Sequence, residues 1–244
     1  MTALLMTATI APDAGAAAHT QFDPAQRLAE YQAALSHYLR LPDLKILFVD
    51  NSASPLDTLE ALARHANRPA HFHSYKSPVP PAYGKGKGEM ELIATALDHF
   101  RDVVAEDEPV WKITGRLIVE NLADLIATQP QGYSIYADCR DVPLIGEALG
   151  GNQWVDTKLI AFTPNGFRTL IHRDWPDENF TVEKLLYQRL KPVLNRKDVI
   201  PRFRLQPEFT GTSGGSGKNY RSFANRTKST VRRAARRVAP WLWL

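Results

Sequence analysis

The near-continuous apolar run Lys45-Ile46-Leu47-Phe48-Val49, closed by Asp50-Asn51-Ser52, constrains the fold more than any other segment of the chain. A strand without polar alternation is covered on both faces, which is the condition of a strand inside a parallel sheet. Parallel neighbours must be joined by long crossovers, usually helices, and the flanking sequence supplies them. Thr2 to Ile10 reads as a first strand. Asp23 and Pro24 then stand as N-cap and first residue of a helix whose Leu28, Tyr31, Ala34, Leu35 and Tyr38 share one face and which ends near Leu39 to Leu41. A second helix is predicted over Ser54 to His65 and a short strand over His71 to Tyr75. Three prolines between Ser77 and Pro81 forbid regular structure, and a flexible basic loop, Gly84-Lys85-Gly86-Lys87-Gly88, opens a helix through Met90, Ile93, Ala94, Leu97 and Phe100.

Beyond it, the strand Val110 to Ile113 runs into Thr114-Gly115-Arg116 and a helix containing Leu122, Leu125 and Ile126. Further strands are expected over Tyr133 to Ala137, Thr157 to Phe162 and Val199 to Leu205, with a helical hairpin over Pro164 to His172 and Thr181 to Leu190. The alternation predicts a mostly parallel α/β sheet of Rossmann type with helices on both faces. The expected organisation is one domain over residues 1–220 and a basic, Trp-containing C-terminal tail over 221–244.

Charge separates the same two parts. The chain has 30 Lys and Arg against 26 Asp and Glu, a net of +4, yet seven of the basic residues and none of the acids fall between Arg221 and Leu244. The body is therefore at −3, and the basicity gives no reason to expect a specific nucleic-acid partner. Arginine pairs followed by Trp241 and Trp243 suit a helix lying on an anionic membrane surface; a tail touching RNA without specificity is the alternative. The single cysteine, Cys139, excludes an intramolecular disulfide and fits a reducing compartment. The N-terminal apolar run lacks the positive n-region of a secretory signal, and no run approaches the roughly 18 apolar residues of a membrane span. The expected location is cytoplasmic, peripheral at the inner face of the membrane.

Ligands of such sheets bind beyond the carboxyl ends of the strands. The polar residues there are Thr7 and Thr9, Asp50 to Ser52, Lys112 to Arg116, and Asp138 to Asp141. Asp50-Asn51-Ser52 suits a ribose or base, or merely terminates a strand with an Asx turn. Lys85 and Lys87 between glycines suit phosphate, although the spacing is neither a Walker loop nor the dinucleotide fingerprint. Arg116 suits two phosphate oxygens at once, or pairs with an acid such as Glu120. Gly211 to Tyr220 fails as a P-loop because Thr212 and Asn219 occupy its required Gly and Ser/Thr positions. A kinase is thus disfavoured, and a Gly/Ser lid carrying Lys218 and Tyr220 or a plain linker is left. Glu183 and Glu178 are candidate bases, or first-turn helix acids beside the caps Thr181 and Asp177. His71 and His73 lack a third metal ligand.

Taken in order, Thr7-Ala8-Thr9-Ile10-Ala11-Pro12, Asp23-Pro24 through Tyr31, Val49 to Ser52, Gly84 to Glu89, Lys112 to Arg116, and the Gly/Ser segment with Lys218 and Tyr220 resemble bacterial capsular polysaccharide and lipopolysaccharide glycosyltransferases. The resemblance implies a GT-A-like fold, a nucleotide-sugar co-substrate and a lipid-linked glycan acceptor. It places Thr7, Thr9 and Asp50 to Ser52 at the nucleoside, with Lys85, Lys87, Lys112, Lys218 and Tyr220 over the donor. It makes Arg116 a clamp on the leaving diphosphate, and Glu183 or Glu178 the base. Where GT-A enzymes carry a metal-binding Asp-x-Asp, this chain reads Lys112-Ile113-Thr114-Gly115-Arg116. Asp138 and Asp141, one strand later, are the alternative ligands for manganese or magnesium, so metal dependence stays open. A noncatalytic docking module of a membrane glycan-assembly complex is the competing class.

Overall fold

The first two strands, β1 (Thr2–Ala8) and β2 (Leu44–Asp50), pair in parallel over their whole length, with Leu4 opposite Ile46 and Ala8 opposite Asp50. Both are buried on both faces, as the apolar run requires. The computed structural model describes residues 2–13, 23–142, 152–211 and Arg236. The Gly/Ser segment with Lys218 and Tyr220, and the tail apart from Arg236, lie outside the described residues.

The crossovers are α1 (Pro24–Tyr38), α2 (Asp57–His65) and α3 (Gly84–His99), and the strands they deliver are β3 (Ala70–Ser74) and β4 (Val110–Thr114). Asp23 caps α1 by accepting from the Ala25 N–H at 3.0 Å, with Pro24 at the first helical position. Then follow β5 (Ile118–Val119), α4 (Leu122–Ala127), β6 (Ile135–Tyr136), β7 (Cys139–Arg140), β8 (Trp154–Val155) and β9 (Leu159–Phe162). Last come α5 (Pro164–Gly166), continued by a wide turn to Ile171, α6 (Val182–Leu190), β10 (Val199–Ile200) and β11 (Phe209–Thr210).

Seven strands form the central sheet in the order β10-β6-β9-β4-β1-β2-β3. Only β9 runs against its neighbours, β4 and β6. One face packs Met90, Ile93 and Leu97 of α3 and Leu186 and Tyr187 of α6 against Ala3, Leu5 and Leu47. The other packs Tyr31, Leu35 and Tyr38 of α1, Leu59 of α2 and Leu125 of α4 against Leu4, Met6, Phe48 and Trp111. The predicted mostly parallel sheet with helices on both faces is the one observed.

Several boundaries differ, for identifiable reasons. The second helix starts at Asp57 rather than Ser54 because the Ser54 N–H is drawn to Asp50 Oδ2 (3.1 Å) and Pro55 holds the preceding residue extended. The stretch Gly84–Gly88 is no loop but the opening of α3, where a Cβ on Gly86 would meet the Val182 Cβ at 2.9 Å. Its lack of a side chain serves close packing under α6. The last three predicted strands shrink to Ile135–Tyr136, to the end of the second, Leu159–Phe162, and to the start of the third, Val199–Ile200.

Asp50 is fully buried and accepts at Oδ1 from the Ile10 N–H (2.8 Å), at Oδ2 from the Ser52 and Ser54 N–H groups (3.0 and 3.1 Å), and from the Ser52 and Ser74 hydroxyls. One carboxylate thus ties together the ends of three parallel strands. Replacing Asp50 by Ala leaves those donors buried without an acceptor and is expected to lower stability by about 3 kcal/mol in a urea titration. A loss under about 1 kcal/mol would show that the donors find other partners.

Candidate functional site

The carboxyl ends of β1, β2 and β4 open into a cleft of about 800 Å³. Its far wall comes from the start of α3, from Asp156 to Lys158 ahead of β9, and from Asn179 to Glu183 ahead of and within α6. Because β9 alone is antiparallel, its entry lies at the edge where its neighbours exit. That reversal carries Asp156, Thr157 and Lys158 into the cleft, which a reading of residue pattern alone does not reveal.

On the β1–β2 side, Thr9 Oγ1 donates to Asn51 Oδ1 (2.7 Å), and the Ala11 N–H donates to Ser52 Oγ (3.0 Å). Thr7, Thr9, Asn51 and Ser52 all line the cleft. Asp50 does not: its oxygens are consumed by the strand ends, so its part is to set Asn51 and Ser52 in place. Thr7 is itself largely committed, its hydroxyl donating to the Ile113 carbonyl at 3.2 Å and its carbonyl accepting from the Gly115 N–H at 2.8 Å. A Cβ on Gly115 would stand 2.8 Å from that carbonyl oxygen, so the approach of β4 to β1 requires glycine there.

Cations gather at the floor. Arg116, 6% exposed, lines the cleft and pairs through Nη1 with Glu30 of α1 at 3.1 Å, not with Glu120. Lys85 lines it from the first turn of α3, its amine pushed below the usual lysine value by burial and by the charges of Arg116 and Arg27. Arg27 was absent from the predicted site. It is 3% exposed, donates from Nε to the Thr9 carbonyl (2.7 Å) and from Nη2 to the Tyr31 hydroxyl (3.4 Å), and leaves Nη1 without a partner. The available signal was an arginine set in the apolar stripe Arg27, Tyr31, Ala34, Leu35, Tyr38 of α1.

Two predicted lysines point elsewhere. Lys87 bonds Asp177 and the Trp175 carbonyl and sits over the Tyr83 ring, bracing the start of α3 outside the cleft. Lys112, alternating with Trp111 along β4, is fully buried and bonds Glu89 and the Thr157 carbonyl (2.8 Å). It is a counter-ion beneath the cleft.

The opposite wall is acidic. Glu183 lines the cleft from the first turn of α6; burial, together with the charges of Glu89 and Asp156, pushes its carboxyl above the ordinary range. Burial pushes Asp156 in the same direction, but Lys158 (2.6 Å) and Arg140 (3.4 Å) outweigh it and hold that carboxyl low. Glu178 is exposed and does not line the cleft.

The proposed metal ligands lie outside the cleft. Asp138 is gripped by both oxygens through Arg236 Nη2 (2.7 and 2.6 Å), whose Nη1 also donates to the Phe203 carbonyl; Asp141 accepts from the Tyr187 hydroxyl. Among the described residues no three of the His, Cys, Asp and Glu side chains are grouped as a metal ion requires. The donor set does not suit magnesium or manganese at the β4 end, where the side chains are cations and hydroxyls.

No protein-family model matches the chain, and no curated protein matches it in sequence. Among solved structures, the inositol-1-phosphate CTP transferase from T. maritima is similar at a TM-score of 0.52 and 12% identity, covering 94% of this chain and 96% of that one. The glycosyltransferase GlyE from Streptococcus pneumoniae TIGR4 gives a TM-score of 0.43 at 12% identity over 80% of this chain, which spans 39% of the length of GlyE. At 12% identity the likeness to the T. maritima enzyme is one of fold alone, a mostly parallel α/β sheet.

The raised carboxyl carries a stability consequence. A folded-state value above the unfolded one means that the folded chain holds the proton more tightly. Glu183 therefore favours folding at low pH, and that contribution is lost as pH rises through the raised value. Glu183→Gln is expected to raise the melting temperature at pH 7 and to leave it nearly unchanged at pH 4, read by differential scanning calorimetry.

Proposed function

We propose that this chain is a nucleotide-sugar-dependent glycosyltransferase that extends a lipid-linked surface glycan of capsule, O-antigen or lipopolysaccharide type. The observation that carries the reading is the division of one cleft into a cationic floor (Arg27, Lys85, Arg116) and a wall bearing Glu183 with a raised carboxyl. Thr9, Asn51 and Ser52 hold the nucleoside. The acceptor hydroxyl gives its proton to Glu183 while its oxygen attacks the anomeric carbon, and the carbon–oxygen bond to the diphosphate breaks with the electron pair leaving on the phosphate oxygen. The cations stabilise that departing charge.

Nucleotidyl transfer from a nucleoside triphosphate to a sugar 1-phosphate is the second reading, favoured by the likeness in fold to the T. maritima enzyme over nearly both chains. A panel of UDP-, GDP- and CMP-sugars with membrane-lipid acceptors decides between them. The first reading predicts nucleotide release from a donor, and the second predicts pyrophosphate release from a triphosphate plus a sugar 1-phosphate. Under the first, Glu183→Gln is expected to lower kcat about 10²–10⁴-fold with KM for the donor little changed. The wild-type rate falls as pH drops through a value above the ordinary carboxylate range. Loss confined to KM would remove Glu183 from the chemistry.

The tail from Arg221 supplies the membrane half of this reading. No helix of the described residues is long and apolar enough to cross a membrane, so contact would come through basic residues. Arg236 is engaged by Asp138, and the lipid contact in this reading is assigned to the other six basic residues of the tail. Replacing Arg221, Arg226 and Lys228 by Gln is expected to weaken binding to phosphatidylglycerol vesicles while leaving soluble activity intact; unchanged sedimentation with vesicles would refute it.

A further inference from the structure

We propose that Arg27, Lys85 and Arg116, together with the first-turn amides of α3, form a diphosphate site that neutralises its ligand with side-chain cations in place of a divalent metal ion. This rests on reading the cleft as a donor site, and it assigns how the donor is held.

Arg27 is the first observation. Its guanidinium is almost wholly buried beside the cleft, fixed in direction by the Thr9 carbonyl and the Tyr31 hydroxyl, and its Nη1 has no acceptor. A buried donor left unsatisfied carries a free-energy cost. That cost is removed when an anion enters, so the fold holds Arg27 ready for one. The side chain cannot swing away to solvent, because two of its three nitrogens are already committed.

The start of α3 is the second. This helix of 16 residues begins at Gly84 with no side-chain cap from Tyr83, and Gly84, Lys85 and Gly86 of its first turn line the cleft. Lys85 projects from that turn within reach of the fields of Arg27 and Arg116. Arg27, Lys85 and Arg116 line the same cleft, and Arg116 is paired with Glu30. A ligand of two linked phosphates offers several anionic oxygens to these cations, whereas a single carboxylate offers two.

The third is what stands at the strand end. Carboxylates there would recruit a divalent ion to bridge the phosphates. In this chain Lys112 is turned under Glu89 and Arg116 faces the cleft, while Asp138 and Asp141 are held elsewhere by Arg236 and Tyr187. At this strand end the side chain facing the cleft is therefore the guanidinium of Arg116.

The test is isothermal titration of the full chain with inorganic pyrophosphate and with UDP, in EDTA. Pyrophosphate is expected to bind in EDTA, and Lys85→Ala and Arg27→Lys are each expected to weaken it by about tenfold or more, the worth of one charge-assisted hydrogen bond. Lys85 is itself exposed, so its variant keeps the test sound should the Arg27 variant fold poorly; unchanged melting temperature confirms the fold. Binding that appears only with added magnesium or manganese overturns the proposal, as does full affinity in the Lys85 variant. Metal-free pyrophosphate binding with no sugar transfer from any donor would retire the transferase reading and leave the site standing. Sugar transfer abolished by EDTA would do the reverse.

Discussion

The carboxylate of Asp50 is the interaction on which the geometry of the cleft depends. Parallel strands end with unpaired backbone groups, and where three of them stop side by side those groups must find acceptors or face water. Asp50 supplies one acceptor set for the turn after β1, the turn after β2 and the end of β3. The chain wraps around it tightly enough that Ala53 adopts φ 56°, a left-handed conformation uncommon for a residue with a Cβ. Burying a charge is costly unless it is fully hydrogen-bonded, and here three backbone N–H groups and two hydroxyls donate to it. The gain is positional: Thr9, Asn51 and Ser52 are delivered to one rim without depending on a bound ligand.

Helix α1 performs the equivalent task for the cations. At helical spacing it presents Arg27, Glu30, Tyr31 and Tyr38 to the strand ends. Glu30 reaches Arg116, and the Tyr31 hydroxyl accepts from the Thr9 N–H (3.0 Å). The Tyr38 hydroxyl donates to the Leu117 carbonyl (3.0 Å) and accepts from the Val119 N–H (2.8 Å). One rigid helix therefore fixes the loop after β1, the guanidinium of Arg116 and the turn that follows it. Preorganised charge of this kind acts on a ligand without the cost of reorganising at the moment of reaction.

The sequence disclosed elements with strong periodicity and concealed relations that only tertiary structure creates. The continuous run of β2, the Asp23-Pro24 cap and the apolar stripes of α1 and α3 are local, and so the sheet and its covering helices were legible. The role of Asp50 was not, because Asx-type capping and ligand binding use the same side chain, and the deciding donors at Ile10 and Ser74 are distant in sequence. The glycines from Gly84 resembled a loop because helix propensity penalises them by about 1 kcal/mol each; packing of Gly86 under Val182 overrides that penalty. Lys112 was misplaced by the same limitation, since alternation fixes which face of β4 it occupies but not that Glu89 lies above it.

Lys112 also explains how opposite charges share one cleft without cancelling. Glu89, Asp156 and Glu183 stand close enough for the first two to raise the third, and such a wall would repel a phosphate ligand a few ångströms away. Lys112 from below and Lys158 and Arg140 from the side answer Glu89 and Asp156 by direct contact. Glu183 is the wall carboxyl left with a raised proton affinity. On the floor, Glu30 relieves Arg116 while Arg27 keeps an open donor. The charges of the cleft are thus largely answered in pairs, with the raised carboxyl of Glu183 and the open donor of Arg27 on opposite sides, and the single antiparallel strand β9 brings Asp156 and Lys158 to the edge where β1 and β4 end.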